Sequence, residues 1–156
     1  MVKVQKIGGS DAKKFIKNFK PNCLIIVTHP GCGHCQVLKP TLDNVYEDLE
    51  NSYTGDVNVF DVHGDAVDEA KKTITDLEAV DGYPTLLISK EEEEEPIVYD
   101  GNRTKEDIIK FMTDNLDVKK QKGGKKRKSR KTRKSRKTKK SRKSKKSRKT
   151  KKSKKK

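Results

Sequence analysis

Residues 23–35 have the sequence CLIIVTHPGCGHC, and this stretch decides the predicted fold. Its first five residues form a continuous apolar run, which is typical of a central strand buried on both faces. Cys32 and Cys35 follow with two residues between them, and a helical pattern begins at Gln36. Because this spacing brings two thiols within reach across one helical turn, the stretch indicates a redox pair at the end of a buried strand.

Apolar patterns on both sides of this stretch predict the remaining elements. In chain order we expect a strand at 2–7, a helix capped by Ser10, the strand at 23–28, a helix after the cysteines that is kinked at Pro40, a strand at 57–62, a helix at 65–79 capped by Asp65, a hairpin of strands 86–88 and 97–99, and a last helix opened by Thr104. Alternating strands and helices followed by a hairpin predict an α/β fold with a mixed central sheet flanked by helices.

The charges divide the chain into two parts. Residues 1–118 contain 13 Lys and Arg and all 23 Asp and Glu, a net charge of −10, whereas residues 119–156 contain 26 Lys and Arg. No apolar residue follows Val118, so the second part has nothing to bury. We therefore predict a folded domain at 1–118 and a basic, low-complexity tail at 119–156 that is disordered when free.

The sequence gives little support for a secretory or membrane protein. Residues 1–7 lack the apolar run of a secretory signal, and no stretch approaches the roughly 20 apolar residues of a membrane span. Three cysteines in an unsecreted chain argue against a structural disulfide framework. We expect the cytoplasm, the nucleus or a virion as the location.

The cysteine pair has a metal-binding alternative, because a C-x-x-C motif also supplies half of many zinc sites. A second pair is missing, and His29, His34 and His63 lack the usual ligand spacing. We therefore expect neither a metal nor a cofactor other than a redox-active disulfide between Cys32 and Cys35. Cys23 lies in the apolar run and is interpreted as a small core residue.

The expected chemistry assigns a different role to each cysteine. A position at the N-terminus of a helix lowers the pKa of Cys32 and makes it the nucleophile. Cys35, one turn further in, would be more buried and would resolve the mixed disulfide. Gly33 and His34 lie between them, and a charged His34 would favour the dithiol form; the alternative is a solvated loop histidine.

Three separated motifs stand out: Cys32-Gly33-His34-Cys35 with Pro40 downstream, residues 80–86 (VDGYPTL) and residues 99–104 (YDGNRT). Together they resemble the catalytic domains of protein disulfide isomerases, within the thioredoxin superfamily, over residues 2–117. The resemblance implies a thioredoxin fold and dithiol–disulfide exchange with protein substrates. It also implies a cis Tyr83–Pro84 bond facing the cysteines, beside which an extended substrate could pair. Arg103 would lower the pKa of the second cysteine, or would be a surface cation.

Several positions depart from that family pattern. Gly31 stands where an aromatic Trp usually precedes the first cysteine, and Ile26 stands where a carboxylate is usually buried. The lysine expected on the next strand is replaced by Val59 or Phe60. Because both members of a buried ion pair are lost, we expect a weakened proton relay to Cys35 and slower turnover.

The tail has a strict three-residue repeat of hydroxyl residues separated by pairs of basic residues. Such charge density favours nucleic acid or another polyanion, through phosphate contacts and without sequence readout. Nuclear import, an acidic membrane surface and contact with the acidic run at 91–95 are alternatives. The composition resembles tails of large DNA virus proteins, which suggests a virion. The first candidate contacts are Lys125, Lys126, Arg127, Lys128, Arg130 and Lys131.

Two functions remain open from the sequence. The first is a protein disulfide oxidoreductase or isomerase localised by its basic tail. The second is a thioredoxin-fold adaptor or nucleic-acid packaging protein with weak redox activity, which the changes at Gly31 and Ile26 would suit.

Overall fold

A computed structural model describes residues 1–93 and 95–121, which form one five-stranded sheet, one two-stranded sheet and four α-helices. The strands are β1 (Lys3–Ile7), β2 (Cys23–Thr28), β3 (Tyr53–Thr54), β4 (Asn58–His63), β5 (Thr85–Ser89), β6 (Ile97–Val98) and β7 (Lys119–Lys120). The helices are α1 (Ala12–Asn18), α2 (Gly33–Ser52), α3 (Gly64–Ala70) and α4 (Lys105–Asn115), with a 3₁₀ turn at Thr75–Ala79.

The large sheet has the order β1-β4-β2-β5-β6. Strand β2 lies at its centre, parallel to β4 and antiparallel to β5, and β1 is parallel to β4. Strands β5 and β6 pair antiparallel, as the hairpin predicts. The predicted mixed sheet is therefore confirmed.

Helices cover both faces of the sheet. The side chains of β2 alternate between these two faces, so each face contributes apolar residues to a core. Leu24 and Ile26 pack with α2 and α4, whereas Cys23, Ile25 and Val27 pack with α1 and α3. All five are fully buried, which explains why this strand is apolar throughout. The alternation also fixes which residues of the neighbouring strands lie beneath α2.

Local details of the helices differ from the predictions. The predicted helix at 65–79 is divided into α3 and the 3₁₀ turn, and its N-cap is His63, whose ring accepts from the Asp65 N–H. Asp11, and not Ser10, is the N-cap of α1. Helix α2 continues through Pro40, as predicted, and Thr104 caps α4 by accepting from the Asp107 N–H.

The folded domain continues beyond the predicted boundary at residue 118. Lys119 and Lys120 pair antiparallel with β3, and the Gln121 N–H donates to the Ser52 carbonyl at 2.8 Å. Two lysines carry no strand signal of their own, so this pairing could not be predicted from local sequence. The remainder of the predicted tail, including the six candidate polyanion contacts at 125–131, lies outside the described residues. Within the described ranges, no helix has the length and apolar character needed to cross a membrane.

Candidate active site

Cys32 lies at the N-terminal end of α2, after the loop that leaves β2. It is the N-cap residue, with an extended backbone (φ −92°, ψ 114°), and its Sγ accepts a hydrogen bond from the Cys35 N–H at 3.2 Å. A helix N-terminus presents unpaired N–H groups and the positive end of the helix dipole, both of which favour a thiolate. The predicted position of Cys32 at the helix start is confirmed.

The pKa of Cys32 is lowered from its ordinary value by its surroundings. The largest cause is the hydrogen bond from the Cys35 thiol, whose sulfur lies 2.6 Å from the Cys32 sulfur. The backbone amides of Cys35 and His34 and the positive charge of Arg103 act in the same direction. Cys32 is half-buried, so its thiolate would remain accessible to a reaction partner.

The pKa of Cys35 is shifted in the opposite direction. Burial raises the pKa of this thiol to about 11, and the hydrogen bond with Cys32 adds to the increase, while Arg103 partly offsets it. The residue is only 5% exposed. At neutral pH Cys35 therefore holds its proton, while its neighbour is the more readily ionised of the two.

Gly33 and His34 occupy the first turn of α2 and are both exposed. A Cβ at Gly33 would meet no atom within 4 Å, so no packing constraint requires glycine there. The backbone amide of His34 acts on Cys32 and lowers the pKa of its thiol. The role predicted for the His34 charge stays a prediction.

Cys32 is also flanked by a second group of site residues, namely Tyr83, Pro84 and Arg103. The Tyr83–Pro84 bond is cis, as the resemblance implied. The Tyr83 carbonyl oxygen accepts a hydrogen bond from the Cys32 thiol at 3.4 Å, and the Pro84 carbonyl oxygen accepts one from Nη2 of Arg103 at 3.3 Å. Arg103 is thus held beside the cysteines and lowers the pKa of both.

A group of polar side chains not selected from the sequence lies beside the cysteines. Nδ1 of His29 accepts from the Gly31 N–H at 3.1 Å, and its Nε2 lies 3.4 Å from Oδ1 of Asp65. Nδ1 of His63 lies 3.5 Å from Oδ2 of the same carboxylate. The His29 ring stacks on Tyr83 with centroids 5.5 Å apart. Over residues 1–93 and 95–121, no group of three or more His, Cys, Asp or Glu side chains is arranged to hold a metal ion.

Ile26 has an acidic neighbour on the next strand. In the parallel register of β2 and β4, Ile26 pairs with Asp61, while Val59 and Phe60 pair with residues 24 and 25. The site lacks the lysine, but it has a carboxylate one strand away from the usual position.

Asp61 is half-buried and lines a cleft of about 580 Å³ that also reaches Cys35. Burial raises the pKa of the Asp61 carboxyl. Tyr46 lines the same cleft, is 5% exposed, and its pKa is raised by burial and by the negative charge of Asp61. Within the described residues, the Tyr46 hydroxyl has no hydrogen-bond partner of acceptable geometry. The alternation of Asp61 with Val59 is visible in the sequence, whereas the register that brings Asp61 beside Ile26 is seen only in the structure.

Cys23 lies away from this chemistry. Its exposed fraction is 0%, and it does not line the cleft. Burial raises the pKa of its thiol to about 12. It is therefore protonated at neutral pH, and from β2 it packs with α1 and α3, as expected for a core residue.

Comparison with known sequences places these features in a wider group. The sequence profile named Thioredoxin matches residues 3–114. The protein disulfide-isomerase of Datisca glomerata is 39% identical over 101 residues, covering 65% of this chain and 18% of the relative. The Medicago sativa protein of the same name is 37% identical over 114 residues, covering 73% and 21%. The chain therefore spans about one fifth of the length of these curated relatives.

A solved structure shares the arrangement of strands and helices. The first two thioredoxin domains of Naumovozyma dairenensis Eps1p match with a TM-score of 0.52 and 20% sequence identity, covering 72% of this chain and 43% of that one. This likeness concerns the fold, and it agrees with the fold that the motifs predict.

Proposed function

Because the chain belongs to the thioredoxin family, we propose that it is a thiol–disulfide oxidoreductase that acts on protein thiols and disulfides. The observation that carries this proposal is the contrast between two adjacent thiols. Their sulfur atoms lie 2.6 Å apart, the pKa of Cys32 is lowered, and the pKa of Cys35 is raised to about 11. A nucleophile that ionises readily and a second thiol that keeps its proton suit the two successive steps of disulfide exchange.

In the reductive direction, the Cys32 thiolate attacks one sulfur of a substrate disulfide. The substrate S–S bond breaks, a Cys32–substrate mixed disulfide forms, and the first substrate sulfur leaves as a thiolate. Cys35 then loses its proton and attacks the Cys32 sulfur, which releases the second substrate thiolate. The products are a reduced substrate and the Cys32–Cys35 disulfide, and oxidation of a substrate is the reverse sequence.

Substrate binding is assigned to the segment at Tyr83 and Pro84. Tyr83 is 38% exposed, and its carbonyl oxygen lies 3.4 Å from the Cys32 sulfur. A polypeptide whose disulfide reaches Cys32 must therefore pass beside this segment. Arg103 donates to the Pro84 carbonyl and contributes positive charge to both cysteines, so it is assigned a modulating role.

Isomerase activity is the finer part of the proposal. It is supported by the names of the relatives that share 37–39% identity with this chain. Isomerisation needs Cys32 to attack and to be released repeatedly, so the rate at which Cys35 closes the disulfide would decide between reduction and reshuffling.

The basic tail is proposed to localise this activity by binding a polyanion, nucleic acid being the first candidate. The support is its charge, with 26 basic and no acidic residues over 119–156. The cytoplasm, the nucleus and a virion, the last suggested by tail composition, are the proposed locations.

Insulin reduction tests the enzymatic proposal against the adaptor alternative, which the changes at Gly31 and Ile26 favour. We expect the full chain to reduce insulin with dithiothreitol as electron donor, the Cys32→Ser variant to lose the activity, and a Cys23→Ala control to retain it. A folded wild-type protein that is no faster than Cys32→Ser would refute the oxidoreductase and leave the adaptor. Recovery of active ribonuclease from its scrambled form tests isomerase activity in the same variants.

A further inference from the structure

We infer that Asp61, with Tyr46 beside it, is the acid–base group that accepts the proton of Cys35 when Cys35 attacks the mixed disulfide. This inference rests on the proposed function. It gives a role to a half-buried carboxylate and a buried hydroxyl that the exchange steps described above do not use.

The need for a base comes from the burial of Cys35. The residue is 5% exposed, and the pKa of about 11 of its thiol leaves few thiolates at neutral pH. A thiolate is the attacking species in disulfide exchange. Resolution of the mixed disulfide is therefore slow unless a nearby group removes this proton as the S–S bond forms.

The strand geometry directs Asp61 toward the same side of the sheet as Cys35. Val59 packs in the cluster beneath α2, while Phe60 and Val62 pack on the opposite face. Since side chains alternate along a strand, Asp61 shares the face of Val59. The N-terminal half of α2, which carries Cys35, covers that face.

A continuous cleft joins the two groups. Cys35 and Asp61 both line the cleft of about 580 Å³. Water occupies about 30 Å³ per molecule, so this volume admits a chain of waters through which a proton could pass. The polar side chains of Thr28 and Gln36 also line the cleft and could support such waters.

The Tyr46 hydroxyl independently indicates that a polar group, such as water, binds in the cleft beside Asp61. Its hydroxyl is buried without a partner of acceptable geometry among the described residues, and such a group is costly unless water or another polar atom reaches it. The same hydroxyl lies near the Asp61 carboxylate. A water bound between them would begin the path toward Cys35.

The other ionisable groups around the cleft are less suited to this role. Lys6 on β1 and Asp43 on α2 face each other at 3.5 Å, and both are exposed. Lys39 is an exposed cation. His29 has both ring nitrogens engaged, with the Gly31 N–H and Asp65, and Nδ1 of His63 accepts from the Asp65 N–H. Asp61 is the described carboxylate that combines partial burial with access to the cleft.

The step is balanced as follows. The proton of Cys35 passes through the cleft to the Asp61 carboxylate, and the Cys35 sulfur forms a bond with the Cys32 sulfur. The bond between Cys32 and the substrate breaks, and the electron pair leaves with the substrate thiolate. Asp61 then returns its proton to solvent or to that thiolate, so no further oxidant or reductant is required.

The two steps can be separated with 5,5′-dithiobis(2-nitrobenzoate) and the reduced full-length protein. Attack by Cys32 releases one coloured thiolate, and attack by Cys35 releases a second. We expect Asp61→Asn to leave the first phase within twofold of wild type and to slow the second about a hundredfold at pH 7, the lower end of what a general base contributes. The difference should narrow as pH approaches 11, where Cys35 ionises without assistance. Asp43→Asn, on the exposed side of the cleft, should leave both phases unchanged.

Two results would overturn the inference while leaving the proposed function intact. The first is a second-phase rate in Asp61→Asn that is within twofold of the wild-type rate at pH 7. The second is a slowing of this phase in Asp61→Asn by the same factor at every pH. Absence of a first phase in the folded wild type would instead refute the proposed function. If Asp61→Asn does not fold, Tyr46→Phe decides the question, because loss of its hydroxyl should move the pH dependence of the second phase upward and leave the first unchanged. An unaltered profile in Tyr46→Phe would then reject the inference.

Discussion

Ile26 and Asp61 lie side by side in the parallel pairing of β2 and β4, and both belong to the face covered by α2. Ile26 is fully buried, whereas Asp61 reaches the cleft. A hydrophobic residue therefore occupies the position where the family pattern has a carboxylate. In this chain a carboxylate is contributed by the neighbouring strand instead.

Introducing a carboxylate at position 26 should be strongly destabilising. Ile26→Glu would place a second acid beside Asp61 with no described cation buried between them, at a cost of about 3–5 kcal/mol. Urea unfolding at pH 7 measures this cost. Ile26→Met, which conserves volume, should cost less than about 1.5 kcal/mol. The double variant Ile26→Glu/Asp61→Lys should recover part of the loss, and equal stability of the Glu and Met variants would contradict this account.

Asp61 should reduce the stability of the fold at neutral pH. Burial raises the pKa of Asp61 in the folded state, so the folded protein holds this proton more tightly than the unfolded chain. The favourable contribution is complete below the unfolded pKa of about 3.9 and is lost as pH rises through the higher, folded pKa. Asp61→Asn should consequently raise the unfolding midpoint at pH 7, with a smaller gain near pH 4. Asp43→Asn serves as the exposed control, and a less stable Asp61→Asn at pH 7 would reject the prediction.

Loss of the Cys35 thiol should raise the pKa of Cys32. The hydrogen bond from this thiol is the largest cause of the lowered pKa. In Cys35→Ala, the pH at which iodoacetamide reactivity reaches half its maximum should move upward. Cys35→Ser keeps a hydroxyl donor and should show a smaller change. Cys23 will not interfere, because burial raises its pKa to about 12. Identical profiles for Cys35→Ala and wild type would be incompatible with the assigned hydrogen bond.

Removing the charge of Arg103 should make both cysteines harder to ionise. Arg103→Gln removes a positive charge that lowers the pKa of Cys32 and of Cys35, so alkylation and disulfide exchange at pH 7 should slow by a few-fold. The rate should recover as pH rises. Lys105→Gln is a matched control, because Lys105 pairs with Asp48 at 2.6 Å. An equal effect of both substitutions would indicate a general change of charge.

The basic tail should bind duplex DNA in a strongly salt-dependent manner. The logarithm of affinity should fall linearly with the logarithm of salt concentration, with a slope of about −0.9 for each phosphate contacted. Truncation after Gly123 removes 23 of the 26 basic residues of the tail and should abolish binding while leaving insulin reduction unchanged. Binding that is independent of salt would rule out the electrostatic account. Fluorescence anisotropy over 50–300 mM NaCl provides the measurement.

The principal elements could be predicted because their signals are local. The apolar run of β2, the cap at Thr104 and the hairpin of β5 and β6 each depend on adjacent residues. The pairing of β3 with β7 could not be predicted, because it joins segments more than 60 residues apart and one of them is Lys-Lys. The break after α3 was also missed, since Ile74 and Leu77 continue the apolar face although the helix ends at Ala70.

The residues of the candidate site also fall into those that could be predicted from the sequence and those that could not. Cys32 and Cys35 could be identified from their spacing, and Tyr83, Pro84 and Arg103 from a resemblance. Asp61 and the group formed by His29, His63 and Asp65 depend on strand register and on the meeting of strand ends, which a single sequence does not specify. Register is a tertiary property, set by packing across the whole sheet.

The ring of Tyr83, stacked on His29 while its own carbonyl contacts Cys32, also gives the protein a natural optical probe. The chain contains four tyrosines and no tryptophan, so its ultraviolet emission is entirely phenolic and unmasked by indole. Tyr83 is the described tyrosine whose backbone contacts a site sulfur. Cycling between thiols and disulfide should thus alter tyrosine emission, which would allow the redox state to be followed in unlabelled protein.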